Sequence, residues 1–272
     1  CILLDGEFVG GENIINSSAT PAKIMLSPIE SREKYIDLSD FVIDGEIWYA
    51  SINSRIKKLS EQGKGGQDRV DIYFYQSNPD HVFDFENGIV FKSNCNYYFL
   101  GAENLGDVSI ETSGLYITQV SNCRFTGFKV SIASPAGAAL RIENSSNIEF
   151  YDCVFSNIYS RGVIAYNSRA IYFNDCVISA GDINGQDICC YIGDNQTAVG
   201  AYTAPSWIIF ENCYLHQSTV DASTPLVDCS SVSNTNSLVS ILHCVTNGME
   251  DVTASNVSKG SGKIRISQLT TV

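Results

Sequence analysis

The chain has 272 residues, 44% of them hydrophobic, and its 17 basic and 30 acidic side chains give a formal net charge of −13. Such acidity excludes the Lys/Arg-rich surface that nucleic-acid binding draws on and argues against attachment to an anionic membrane. No run approaches the ~18 consecutive apolar residues of a membrane span, so neither nucleic acid nor membrane insertion is expected.

Residues 1–43 lack a periodic pattern and read as an irregular N-terminal segment or cap. The sequence opens at Cys1 rather than at methionine, which fits a fragment, and it contains no visible signal-peptide pattern. Residues 44–69 read as a capping helix and linker. Trp48, Ile52, Ile56 and Leu59 fall at helical spacing, predicting a helix over 47–62 with Asp44 as N-cap and Gly63 as the stop. A helix there would cover the strand edges at the open end of a stack.

From residue 70 to 272 the pattern is that of short strands. Val70–Phe74 and Val82–Phe85 are predicted strands, and 88–101, with Phe91, Cys95, Tyr97 and Phe99, reads as a first coil. Beyond it a repeat appears: Ile148-Glu-Phe150-Tyr-Asp-Cys153-Val-Phe155 returns as Ile171-Tyr-Phe173-Asn-Asp-Cys176-Val-Ile178 and Ile208-Ile-Phe210-Glu-Asn-Cys213-Tyr-Leu215. Val239-Ser-Ile241-Leu-His-Cys244 and, more loosely, Val120-Ser-Asn-Cys123-Arg-Phe125 follow the same frame, so the cysteine spacings are 30, 23, 37 and 31. Apolar residues at every second position mean strand rather than helix. Asn122, Asp152, Asp175 and Asn212 are assigned to a two-residue bend, where Asn and Asp tolerate left-handed backbone. A coil is expected to carry strands at Leu140–Ile142, Ile148–Phe150 and Cys153–Phe155, and coils to stack ~4.8 Å apart by parallel pairing. A strand at Lys263–Ile266 is expected to carry the stack to the end.

The chain has 10 cysteines. Placed at equivalent points of a repeat, most read as small buried hydrophobes stacked one above another rather than as disulfide partners. Free thiols imply assembly in a reducing compartment. Cys1 and the adjacent Cys189-Cys190 pair stand outside this ladder.

Asp40-Phe41, Asp44-Gly45, Ala50, Ile52 and Ile56 resemble the opening of pectate-lyase-like proteins and phage tailspikes, where an Asp-Phe-Gly-Ala strand and an Asp-Gly turn lead into a helix. Phe91-Lys-Ser-Asn with Phe99-Leu-Gly101, and the Ile-x-Phe-x-Asp-Cys-x-Phe copies, are similar to later coils of that group. The likeness runs over residues 40–266 and departs from the group at Val42-Ile43. It implies an all-β, single-stranded right-handed parallel β-helix with one N-terminal capping helix. It further implies a tailspike-like receptor-binding protein that recognises, and in its catalytic members depolymerises, a bacterial surface polysaccharide. A homotrimer in the virion tail, assembled in the host cytoplasm, goes with that reading. The rival readings are a secreted or cell-surface polysaccharide lyase or glycoside hydrolase, and a non-catalytic adhesive solenoid. No cofactor is implied.

Chemistry on such a scaffold belongs to loops between strands. The widest cysteine spacing, between Cys176 and Cys213, holds Asp182, Asp187 and Asp194 among glycines, and Glu211 follows. Acids of this kind are the catalytic candidates because glycoside hydrolysis needs two carboxyls about 5–9.5 Å apart. Tyr191, Tyr202 and Trp207 are the candidate sugar-stacking residues. Asp182-Ile-Asn-Gly-Gln-Asp187 lacks the calcium-loop spacing, and no zinc or phosphate-loop signature exists, so no metal is assigned. Asp152 and Asp175 are read as bend residues rather than a catalytic pair. His81, His216 and His243 are too scattered for a triad.

Overall fold

The period-two pattern becomes three stacked ribbons of short strands. The computed structural model describes residues 34–63, 69–76, 83, 85, 88–100, 114–133, 137–181, 188–193, 207–217, 225–246 and 251–267, and the backbone of 13–14, 22–23 and 109–110. By contacts the chain divides into Cys1–Tyr35 and Ile36–Val272. In the first unit Asn13–Ile14 pairs antiparallel with Ala22–Lys23.

The second unit is a parallel β-helix. One coil runs Ala138–Glu143, Ser146–Tyr151, Val154–Asn157, and the next begins at Arg161. Repetition builds a nine-stranded, a five-stranded and a six-stranded sheet, the central coils giving one strand to each. Register is strict where the sequence repeat is strict: Ile148 faces Ile171, and Phe150 faces Phe173. These in turn face Ile208 and Phe210. The stack continues through Lys263–Ser267, which pairs parallel with Leu238–Leu242.

Buried aromatic rings form the spine of the core. Phe125, Phe150, Phe173 and Phe210 stack in succession, with centroids 5.3, 4.9 and 4.9 Å apart. Beside them runs a column of Cys153, Cys176, Cys213 and Cys244. Each of these thiols donates to the carbonyl two residues before it, at 3.2–3.3 Å. The nine cysteines among the described residues are all free and buried. Cys123 does not belong to this column. It pairs in register with Ile148, and Phe128 takes the place before Cys153, Lys129 lying opposite Val154. The spacing of 30 is therefore not a coil length. Cys123 stands next to Cys95 at the other end of the same sheet, since Arg124 faces Asn96. Cys189 and Cys190 are buried too, with their sulfurs 3.8 Å apart.

The bends use left-handed backbone in columns. Asp152, Asp175, Asn212 and His243 have φ of 52, 52, 53 and 54°. Their N–H groups donate across to the next coil, for example Asp152 N to Asn174 O at 3.2 Å and His243 N to Ser267 O at 2.8 Å. Gly127 fills the same place at φ 75°, where a Cβ would sit 2.9 Å from the Phe99 carbonyl oxygen. Asn122 (φ 57°) belongs to a second column with Asn94 and Asn147, at the start of the nine-stranded sheet's strands. Their amides form a side-chain ladder, Asn147 Nδ2 to Asn122 Oδ1 at 3.0 Å and Asn122 Nδ2 to Asn94 Oδ1 at 2.9 Å.

The helix spans Tyr49–Ser60, with Ile52, Ile56 and Leu59 buried. Asp44 is not its cap: with Gly45 it turns a short hairpin between Val42–Ile43 and Glu46–Ile47, both residues at positive φ. Trp48 stands at the N-cap and is exposed rather than packed. Asn53 pins the helix to the first coil, donating to Gly88 O and accepting from Val90 N, each at 2.8 Å. Of the strand predicted at Val82–Phe85, only Phe83 and Phe85 are among the described residues; neither lies in a strand, and both are buried in the core.

Candidate functional site

Alternation decides what faces outward. On the nine-stranded sheet the residues between the core positions form two parallel rows along the stack. One row runs Asp71, Asn96, Arg124, Glu149, Tyr172, Ile209. The other runs Tyr73, Tyr98, Thr126, Tyr151, Asn174, Glu211.

These side chains touch one another from coil to coil. The Tyr73 and Tyr98 rings stack at 4.7 Å and 15°, and Asn96 Nδ2 donates to Asp71 Oδ1 at 2.9 Å. Glu149 is held by two arginines: Arg69 Nη2 reaches Oε1 at 2.6 Å, and Arg124 donates from Nε and Nη2 to Oε2 at 2.9 and 2.7 Å. The Arg124 guanidinium lies over the Tyr151 ring at 4.7 Å. Tyr151 meets the Tyr172 ring edge-on at 5.8 Å, and the Tyr172 hydroxyl donates to Glu211.

The electrostatics follow from these contacts. Burial pulls the Glu149 carboxyl upward, but the hydrogen bonds and charges of Arg69 and Arg124 outweigh it and hold the group below its ordinary value. Burial first, and then the bond to Glu211, raise the Tyr172 hydroxyl far above its usual range. Tyr98 and Tyr151 are also raised, by burial and by the charges of Asp71 and Glu149 respectively. At neutral pH the face therefore presents protonated phenols, fixed guanidinium groups and ionised carboxylate. This is a donor-and-acceptor surface suited to a polyhydroxylated ligand.

Proton chemistry between the two glutamates is a different matter. A carboxyl held ionised cannot serve as general acid. Glu149 also lies two coils from Glu211 and in the other row, their backbone positions on the order of 12 Å apart by strand spacing and rise.

Of the candidates named from sequence, Trp207 and Glu211 share one strand and its outward face. Trp207 is half exposed, and its Nε1 donates to Asn236 O at 3.2 Å. Tyr191 stands apart, on the six-stranded sheet, so the three do not form one site. Asp182, Asp187, Asp194, Tyr202 and His81 lie outside the described residues. His243 is a bend residue, and His216 stacks on Tyr214 at 6.0 Å. Among the described residues no group of His, Cys, Asp and Glu could hold a metal ion, and no helix is long and apolar enough to cross a membrane.

The tyrosines and the Arg–Glu network were missed in the sequence. Their signal was the middle position of each apolar-x-apolar triplet, which holds Asn96, Arg124, Glu149 and Tyr172 in successive copies.

No known family profile matches the chain, and no curated protein sequence matches it. Among solved structures, a proposed glycosyl hydrolase from Parabacteroides merdae ATCC 43184 superposes with a TM-score of 0.50 at 13% identity, covering 81% of this chain and 99% of that one. ORF18 of Geobacillus virus E2 aligns with a TM-score of 0.39 at 15% identity, over 97% of this chain and 69% of its own. At these identities the likeness to the first speaks for the fold alone: the chain is a parallel β-helix with a single helix among its described residues.

Proposed function

We propose that this chain is a tailspike-like receptor-binding protein that grips a bacterial surface polysaccharide along the outer face of its nine-stranded sheet. The observation that carries the reading is the outward double row of Tyr73, Tyr98, Tyr151 and Tyr172 with Arg124, Glu149 and Glu211. A polymer is best held by groups repeated along one axis, and a solenoid supplies a new set every ~4.8 Å. Neutral phenols, guanidinium groups and carboxylates satisfy sugar hydroxyls as donors and acceptors, and the Arg–Glu–Tyr contacts fix their positions before binding. The tailspike resemblance adds a homotrimer, virion-tail location and a reduced interior to the same proposal.

Recognition, rather than cleavage by Glu149 and Glu211, is the function this geometry supports. The test is a panel of bacterial surface polysaccharides probed with the native chain and with Tyr98→Ala and Tyr172→Ala. A specific ligand bound natively and weakened about ten-fold or more in these variants supports it. Native-like affinity in both variants, with melting unchanged, removes the site. Product analysis on any bound glycan, with Glu211→Gln as control, decides whether depolymerisation accompanies binding. A monomer by light scattering counts against the tailspike assignment.

A further inference from the structure

Both tryptophans of the chain stand half exposed, Trp48 at 50% and Trp207 at 51%, one towards each end of the stack. Around Trp48 the surface is acidic. In the hairpin before it, Val42 lies opposite Ile47 and Ile43 opposite Glu46. Val42 and Ile47 pack against the core, so Ile43 and Glu46 are turned to solvent. Alternation puts Trp48 on that same outer side. Asp44 in the turn and Asp40 just before the hairpin are exposed as well. Among the described residues none of Asp40, Asp44 and Glu46 makes an ion pair.

Around Trp207 the charge is reversed. On the last three strands of the nine-stranded sheet, Leu238 and then Lys263 follow Trp207 in register. Ser240 and Arg265 follow Ile209, and Leu242 follows Glu211. These are the outward positions, alternating with buried Ile208, Phe210, Val239 and Ile241. Glu211 is engaged by the Tyr172 hydroxyl. Lys263 and Arg265 are exposed and make no ion pair among the described residues. Beyond Tyr172, therefore, the outer rows give way to an apolar patch edged by two cations.

We propose that copies of this chain associate head to tail, the acidic Trp48 hairpin of one seated on the cationic Trp207 patch of the next. Copies that each carry a net charge of −13 repel over most of their surface. These two patches are an exception, because each has the charge the other lacks. Exposed tryptophan is a frequent anchor of protein interfaces. Hairpin against hairpin, or patch against patch, would set like charge on like. The two surfaces differ, so the contact is heterologous and leaves a free hairpin and a free patch at the ends of an open chain. Both are small beside the ~800 Å² per partner of a standard interface, so the association is weak and fades with salt. Nothing in it depends on the glycan reading.

The experiment is sedimentation of the full chain over a concentration series at low and high salt. The native chain is expected to exceed the mass of one copy as concentration rises, and less so at high salt. Asp40→Lys with Glu46→Lys reverses the hairpin, and Lys263→Glu with Arg265→Glu reverses the patch. Asp44 is left alone because its turn uses left-handed backbone. Each double variant by itself should associate about ten-fold or more weakly, with its melting midpoint unchanged. An equal mixture of the two should recover association, since opposite charges meet again. Trp207→Ala should weaken the native contact likewise. The proposal is overturned by a native chain that stays single throughout, or by a mixture no stronger than its parts. An oligomer that withstands both reversals, as a side-by-side trimer through another face would, overturns it equally. If glycans bind through Tyr98 and Tyr172 while copies stay apart, this inference alone falls.

Discussion

Asp175 shows how a single backbone conformation can fix a residue type. At φ 52° Gly, Asn and Asp are the least strained residues and a β-branched one the most. Asp175→Gly should therefore be near neutral, while Asp175→Val should cost about 1–2 kcal/mol or more, measured by urea denaturation. The bends at Asp152, Asp175 and Asn212 were legible because Asn and Asp recur at one place in the repeat. The Asn94–Asn122–Asn147 ladder was hidden, since Asn122 looks the same in sequence whichever bend it serves, and only register separates the two. The thiols follow similar logic. Burial pushes Cys123 and Cys229 up to about 12. Cys176 and Cys213 are raised first by the thiol of the neighbouring coil. At pH 8 a group with pKa near 12 is thiolate in only about one molecule in ten thousand, and thiolate is the reactive form. A disulfide-exchange reagent should leave the nine described cysteines, all of them buried, untouched until denaturant opens the stack. Stoichiometric labelling of them in the native state would contradict this.

Elements hold together through contacts between coils. Within the aromatic spine, Phe173→Ala should cost about 3–5 kcal/mol, measured by the urea midpoint, because its ring is stacked on both sides. Glu149 ties three coils through Arg69 and Arg124. Its folded-state pKa lies below 4.5, so the network stabilises the protein above that value and the contribution is lost as pH falls through the lower folded value. Acid unfolding should show this loss below about pH 4, and Glu149→Gln should flatten the profile there. That substitution should also cost about 1–3 kcal/mol at neutral pH, by leaving two cations facing a neutral amide. The helix was legible from Ile52, Ile56 and Leu59, but its start was not. Asp44-Gly45 satisfies a hairpin turn better than a cap, and pattern alone cannot rank the two uses.

Across the whole molecule, stability is a sum of nearest-neighbour interfaces rather than the property of one centre. Hydrogen exchange should accordingly be slowest in the coils around Phe150 and Phe173, which have well-packed neighbours on both sides, and faster towards Lys263–Ser267. Uniform protection along the stack would refute that gradient. At this scale the architecture could be read because core positions repeat. The candidate site could not, because what lies between core positions repeats only in geometry: the outward rows change residue type from coil to coil, and a function made of unlike residues leaves no period.

The three connections within a coil are unequal. The one leaving the nine-stranded sheet is two residues long after Thr126, Tyr151, Asn174 and Glu211, pinned each time by a left-handed residue whose N–H bonds the coil above. The one entering it is two residues long after Tyr166 and far longer after Gly193. The third, from the five-stranded to the six-stranded sheet, is short after Asn157 and far longer after Ala180 and Gln217. It acts as an expansion seam, at which chain can be lengthened or exchanged while every rung keeps its partner.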